Sequence, residues 1–278
     1  MPYIRDRAPG AQIEEMVEIH YHLLFGLDDG PETIEASLAL AEASIAEGVT
    51  HIVCTPHASD HYSFRPASNR ARLAALKERL GDRITLGLGC DFHLSYDNIE
   101  DLKKDPTKYT INGKQYLLVE FPNSEIPASI SGVLFQMIAS GIVPILTHPE
   151  RNPTLVEDPS RLIEWLLGGC LVQLTAGSLC GRFGRRAESM SHMLLERNWV
   201  HFIASDAHSV ENRPPMMASA HEILVKRYGQ PTADRLCLNN PLAAFLGDPM
   251  PDQPKPLGLS ESSKSNRGSF LKRFFRNS

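Results

Sequence analysis

The sequence has no pair of cysteines spaced to form a zinc knuckle or a redox dithiol. Its five cysteines, Cys54, Cys90, Cys170, Cys180 and Cys237, are odd in number and widely separated, which excludes a disulfide framework and points to a reducing cytosol. No stretch approaches the roughly 18 consecutive apolar residues of a membrane span. The opening residues MPYIRDRAPGAQIEEM lack the apolar core of a secretory signal. A cytoplasmic protein is therefore expected. Basic charge is also scarce over most of the chain: residues 1–250 carry 22 Lys/Arg against 31 Asp/Glu, so nucleic acid is not the expected ligand. Residues 251–278 reverse that balance, with six Lys/Arg against two Asp/Glu. With 42% hydrophobic and 22% charged residues among 278, the composition excludes collagen, wholesale disorder and a coiled coil, and the chain can bury a large core.

What is present is a regular alternation of short apolar runs and longer helical patterns. Seven runs read as strands: Val17–His20, His51–Thr55, Ile84–Asp91, Tyr116–Phe121, Val143–Thr147, Leu171–Thr175 and Val200–Ser205. They are rich in Val, Ile and Leu, as strands buried on both faces should be. Helices are expected over 32–47, 67–80, 127–140, 159–167, 185–197, 214–228 and 231–245, several of them closed by Gly48, Gly81 or Gly141. A β-α repeat implies a parallel sheet covered by helices, open or closed as a barrel. Asn112-Gly113 reads as a tight hairpin turn before the fourth strand. From Pro249 onward Pro, Ser, Gly and Lys dominate, so 249–278 reads as a disordered basic tail. Within it Phe270, Leu271, Phe274 and Phe275 would share one helical face beside basic residues, a pattern suited to a weak membrane-surface or partner-docking helix, or simply to a solvated basic terminus without a dedicated partner.

His and acidic residues recur where these strands end. His20 and His22 close the first strand, His57 the second, Asp91 the third, Glu120 the fourth, His148 the fifth, and Asp206 with His208 the seventh. Sites assemble at the carboxyl ends of parallel strands, so these eight residues should converge. One buried histidine is usually a hydrogen-bonded core residue, but repetition at equivalent strand ends points to ligands. On an extended segment residues i and i+2 face the same way, so His20 and His22 can grip one ion while Tyr21 faces elsewhere. Asp206 and His208 repeat the spacing. Five imidazoles and three carboxylates exceed the needs of one four-coordinate ion and imply two or three, with a bridging carboxylate. Such a donor set suits Mn²⁺, Zn²⁺ or Fe²⁺.

Clustered divalent ions lower the pKa of bound water and stabilise both oxygens of an in-line displacement, so metal-assisted hydrolysis of phosphate esters is the expected reaction class. Arg151 and Arg213 lie shortly after His148 and His208, and a guanidinium fork matches phosphate oxygens, though either could instead form a surface ion pair.

The segments EIHYHLLFGLDDGPET, IVCTPH, YLLVEFP, GIVPILTHPER, LVQLTAGSLCGRFG and FIASDAHSVENRPP run in order from Glu18 to Pro215. In them the chain resembles the PHP (polymerase and histidinol phosphatase) metallohydrolases. Within that superfamily it resembles the manganese-dependent tyrosine-protein phosphatases of bacterial capsule and exopolysaccharide loci. The resemblance implies a distorted seven-stranded (β/α) barrel over 16–248, after an N-terminal extension at 1–15. It also implies a site of two or three ions, Mn²⁺ foremost, held by His20, His22, His57, Asp91, Glu120, His148, Asp206 and His208, with Asp91 and Glu120 bridging. Arg151 and Arg213 would meet the phosphate. In the mechanism that follows, Asp206 or a water on the ions would donate the leaving-group proton. The implied substrate is phosphotyrosine on a membrane-associated bacterial tyrosine kinase that controls polysaccharide export, with the phosphatase cytoplasmic or peripheral at the membrane and able to form homo-oligomers. Two positions depart from the family pattern: Asp91 stands where Glu is usual, and Glu18 where Asp is usual. His93, two residues beyond Asp91, could compensate for the shorter carboxylate, although a surface role is the first expectation.

Cys180-Gly-Arg-Phe-Gly-Arg-Arg186 satisfies C-x₅-R, the spacing by which cysteine phosphatases cradle phosphate. Leu179 and Ala187 stand where that chemistry wants His and Ser/Thr, which disfavours the thiolate route. Histidinol-phosphate hydrolysis on the same scaffold is an alternative, and a catalytically weakened module docking on a kinase is another.

Overall fold

A computed structural model of the chain describes residues 15–122 and 125–258. The described residues form nine strands interspersed with helices: β1 Met16–Tyr21, β2 Val49–Cys54, β3 His57–Ala58, β4 Thr85–Leu88, β5 Asp91–His93, β6 Tyr116–Glu120, β7 Val143–Thr147, β8 Leu171–Thr175 and β9 Phe202–Ala204. All named pairs are parallel, in a three-stranded sheet β1-β2-β4 and a six-stranded sheet β3-β5-β6-β7-β8-β9.

The seven expected strands thus become nine because the second and third are each interrupted. Pro56, with no N–H to donate, separates β2 from β3. Gly89 separates β4 from β5 at a close crossing, where a Cβ would lie 3.0 Å from the Val53 side chain. Backbone bonds from Gly89 N–H to the Cys54 carbonyl (2.9 Å) and from Asp91 N–H to the Pro56 carbonyl (3.2 Å) stitch across both breaks. They leave His57 in register with Asp91.

Burial follows the strand period of two. On β6, Leu117 and Val119 join the larger core, which includes Leu40 of α1 (Ile34–Glu47), Leu76 of α2 (Pro66–Leu80) and, further along the chain, Leu134 and Trp165. Tyr116 and Leu118, between them in sequence, join a second core with Val17, Ile19, Ile145 and Phe202, closed by Ala244 and Leu242. Helix α1 has local reasons to begin and end. Thr33 caps α1 by accepting from Ala36 N–H, and Gly48 ends it in the left-handed region. Helix α3 (Tyr96–Lys104) was not among the expected helices, although Ser95 caps it. The remaining helices are α4 (Ile130–Ala139), α5 (Pro153–Glu157), α6 (Arg161–Gly168), α7 (Ala176–Leu179), α8 (Gly184–Glu196), α9 (Met217–Tyr228), α10 (Gln230–Asp234) and α11 (Asn240–Leu246). Among the described residues, no helix is long and apolar enough to cross a membrane.

Two local expectations are corrected. Asn112 and Gly113 do take positive φ, 52° and 66°, but no hairpin follows, because β6 pairs only with parallel neighbours. Asn112 instead accepts from Leu88 N–H and donates to the Phe245 carbonyl, tying α11 beneath the strands. The segment from Pro249 is not loose at its start. Gln253 pairs with Asn240 and Arg235, and the Leu257 carbonyl accepts from the indole N–H of buried Trp199 at 2.9 Å. Phe270, Leu271, Phe274 and Phe275 lie outside the described residues.

Deleting residues 251–278 should therefore cost about 1–3 kcal/mol in urea unfolding, since the Trp199 N–H loses its acceptor, whereas deleting only 259–278 leaves these bonds intact. A second test concerns His201, whose ring is buried before β9 and accepts from Val172 N–H. Burial, then Arg235, pushes its pKa down to about 3. The unfolded chain protonates this ring near its ordinary value of about 6.5, so its contribution is intact above that pH and lost as pH falls toward the folded value. His201→Gln should flatten the fall in unfolding free energy below pH 6.5, and equal slopes in both proteins would refute this origin.

Candidate metal centre

Because the strands are parallel, their carboxyl ends lie together, and all eight residues expected from strand ends are brought to one place. His20 Nε2 lies 3.5 Å from Asp91 Oδ2 and 3.4 Å from Asp206 Oδ1. His22 Nε2 is 3.5 Å from the same Asp206 oxygen. His57 Nδ1 is 3.1 Å from Asp91 Oδ2 and 3.8 Å from Glu120 Oε2. His148 Nε2 is 3.8 Å from Glu120 Oε1, and the His208 ring stacks on His22 with centroids 3.8 Å apart. Despite its shorter side chain, Asp91 thus lies within reach of two imidazoles.

Four groups of donor atoms are close enough to hold an ion: His22, Asp29, His57 and His208; His57, Asp91, His93 and Glu120; His20, His22 and Asp91; His20, His148 and Asp206. Shared members join the groups into one cluster. Two of its residues, Asp29 and His93, stand outside the eight expected ligands. Asp29 lies 3.3 Å from His57 Nε2 and 3.2 Å from His208 Nε2, and its clue was a second carboxylate in the Asp-Asp-Gly run after H-x-H. His93, first expected at the surface, instead lies in ion-pair contact with Glu120 at the edge of the cluster, two residues from Asp91 along an extended segment, which suits the compensating role.

The donor atoms fit divalent ions on their own evidence. His20 Nε2, His22 Nε2, His57 Nδ1, both Asp91 oxygens and Glu120 Oε2 are buried without hydrogen-bond partners. A buried unsatisfied polar atom costs about 1–3 kcal/mol, so several gathered in one spot call for a cation. Around them the rings are held from behind. Gln173 bonds His20 Nδ1 at 2.9 Å and Asp28 bonds His22 Nδ1 at 2.8 Å, the arrangement that leaves the opposite nitrogen free for a ligand role. His148 and Asp206 adopt left-handed backbone, φ 33° and 53°, conformations that cost non-glycine residues about 1–3 kcal/mol and cluster at functional sites.

Arg151 and Arg213 both donate to Asp206 Oδ2, so the two guanidinium groups converge on one point beside the cluster. Burial opposes the Asp206 charge, but His20, Arg213 and Arg151 outweigh it and hold this carboxyl well below the usual range. An ionised, doubly bonded carboxylate is a poor store for a proton. Asp206 therefore suits a ligand and arginine partner better than the leaving-group donor expected from sequence. Behind the H-x-H pair, buried Glu18 accepts from Ser205 N–H with both oxygens, and burial pushes its pKa up to about 8. In the C-x₅-R segment burial, with Glu47 and Glu188, pushes the Cys180 thiol up to about 11, away from the thiolate that the cysteine route needs.

A parallel α/β fold whose strand ends gather imidazoles, carboxylates and two convergent arginines defines a metallohydrolase-like protein. Residues 16–245 match the family described as capsular polysaccharide synthesis, CpsB/CapC, and the chain belongs to that family. CapC of Staphylococcus aureus is 38% identical over 208 residues, 73% of this chain and 80% of the relative. The tyrosine-protein phosphatase YwqE of Bacillus subtilis is 34% identical, covering 77% of this chain and 85% of the relative. A crystal structure from work on YwqE and CpsB of Streptococcus pneumoniae, described as metal-dependent tyrosine phosphatases, superposes with a TM-score of 0.81 at 30% identity. That match covers 87% of this chain and 99% of the other. Histidinol phosphate phosphatase of Lactococcus lactis, at 13% identity and a TM-score of 0.55, shares the fold.

If Cys180 plays no chemical part, Cys180→Ser should hydrolyse phosphotyrosine peptide at the unmodified rate; abolished turnover would restore the thiolate route.

Proposed function

We propose that this chain is a metal-dependent protein-tyrosine phosphatase acting on phosphotyrosine of a bacterial tyrosine kinase that controls capsular or exopolysaccharide synthesis. The observation that carries the reading is the set of buried, unpartnered imidazole nitrogens and carboxylate oxygens beside two arginines that meet at one point. His20, His22, His57, Asp91, Glu120, His148, Asp206 and His208 would hold two or three divalent ions, Mn²⁺ foremost and Zn²⁺ or Fe²⁺ otherwise, with Asp29 and His93 in reach. Ions bound there would lower the pKa of a coordinated water toward neutrality and offset charge on the attacking and leaving oxygens.

The chain's own residues supply the rest. Arg151 and Arg213 present fixed forks to the non-bridging oxygens of the phosphate, with geometry that a lysine would not reproduce. Gln173 and Asp28 hold the His20 and His22 rings in place while substrate enters. The leaving group is a phenolate whose acid has a pKa of about 10, so its departure needs less protonation than an alkoxide's, and a water can supply that proton. We read the two sheets as one distorted seven-stave (β/α) barrel spanning residues 16–248, because β2 continues into β3, β4 into β5, and β1 meets the chain after β9 through the Tyr21–Ala207 bridge. A cytoplasmic enzyme, with the basic C-terminal segment favouring the membrane that carries the kinase, accords with the charge reversal after residue 250.

The test is hydrolysis of a phosphotyrosine peptide with Mn²⁺, with and without chelator, beside histidinol phosphate. Peptide turnover that chelator abolishes is expected; preference for histidinol phosphate, or fewer than two ions per chain with no turnover, would overturn the assignment. Arg151→Ala and Arg213→Ala should each lower kcat/KM by about 10²-fold, the scale of one lost oxyanion partner, at unchanged metal content. Asp91→Ala should instead reduce the ions bound per chain.

A further inference from the structure

Among the strands that reach the mouth, β8 alone ends without a candidate ligand. Gln173 within it bonds His20, and the chain beyond it turns to Arg151 and Arg213 instead. The Thr175 N–H and the Ser178 hydroxyl both donate to buried Glu150, the residue before Arg151, at 2.9 and 2.7 Å. After α7 comes the turn Gly181-Arg-Phe-Gly184. Gly181 and Gly184 sit at φ 75° and 86°, where a side chain would be strained, so the tight turn requires glycine at both ends. Arg182 N–H to the Gly177 carbonyl (2.9 Å) and Gly184 N–H to the Gly181 carbonyl (3.1 Å) hold its shape.

From this turn two side chains reach the two arginines by different routes. The guanidinium carbon of Arg151 lies 4.4 Å from the centroid of the Phe183 ring, within cation–π range. Arg182 donates to the carbonyl of Asn212, the residue before Arg213. The seat of the ring is itself provided for: a Cβ on Gly177 would stand 3.0 Å from Phe183 Cε2. Arginine has many rotamers to lose, and a planar face on one side restricts the plane in which its fork can lie. Ordering that plane before substrate arrives lowers the cost of binding an oxyanion.

We propose that the Gly181–Gly184 turn is the positioning element of the phosphate clamp, Phe183 holding Arg151 by its face and Arg182 holding the loop that carries Arg213. The inference rests on the phosphatase reading above and adds two positioning residues to it; neither is placed against the reacting atoms.

The test is a pair of double-mutant cycles read by phosphotyrosine-peptide kinetics in Mn²⁺, with metal content measured on each variant. Phe183→Leu keeps an apolar filler but removes the aromatic face. It should raise KM and lower kcat/KM by about three- to tenfold at unchanged metal content, and Phe183→Tyr should restore both. In an Arg151→Ala background Phe183→Leu should cost nothing further, whereas Arg182→Ala should still do so. In an Arg213→Ala background the pattern should reverse. Equal losses in every background, or no loss in the unmodified protein, would overturn the proposal. Should the unmodified protein fail to turn over, the phosphatase reading fails, and calorimetric titration with inorganic phosphate still decides the clamp. Weaker phosphate binding that depends on Arg151 and Arg213 in the same pattern supports it, and equal affinity across the variants refutes it.

Discussion

The site depends on the seam between the first strand and the chain that follows the last. His22 N–H donates to the Ala207 carbonyl and Asp206 N–H to the His20 carbonyl, each at 3.0 Å. Beside them Ser205 N–H donates to both oxygens of Glu18, 187 residues away in sequence. These bonds lay the His20–His22 pair against the Asp206–His208 pair, so that His20 and His22 both stand about 3.5 Å from one Asp206 oxygen. The left-handed turn at Asp206 is strained backbone held at that seam, and Glu18 is a buried carboxylate there. Glu18 thus joins the first strand to the chain that follows the last.

Around the seam the surrounding strands divide the work. Six strand ends contribute metal-competent groups, and β8 contributes a glutamine behind one imidazole and the turn that leads to the arginines. The electrostatics are consistent with that division. Buried carboxylates and imidazoles lie close together with several atoms unpartnered, while the cationic forks gather at one edge on Asp206. Part of the excess acidic charge of the body is concentrated here, where divalent ions would offset it. The acidic composition, which at first sight disfavours an anionic phosphopeptide, therefore says little about the local field at the mouth.

Much of this was legible in the sequence because parallel strands separated by helices all present the same end to one face. Once the strand ends were located, His57, Asp91, Glu120 and His148 followed from position alone. His93 reads as a surface residue first and a compensating one second, although it stands at the same i, i+2 spacing as His20 and His22; the continuation of the strand past Asp91 is hidden by the break at Gly89. Asp29 lies on a loop, where no periodicity specifies direction. The Asn112-Gly113 pair was read correctly as a turn and wrongly as a hairpin, since two residues of positive φ set a local bend and only pairing partners decide what it joins. Residues 251–258 have the composition of a loose tail yet are held by Trp199 and Asn240, contacts that no composition records.

The sequence by itself determined the class of fold, the end of the strands at which chemistry gathers, and eight of the side chains found there. Those follow from local periodicity and from chain direction, which every residue carries with it. Tertiary structure alone decided which donor atoms are shared, that Asp206 is pinned by two arginines, and that Phe183 lies against one of them. These are relations between residues far apart in the chain. Their distances depend on where each strand is broken and how the first meets the last, and no local pattern encodes either.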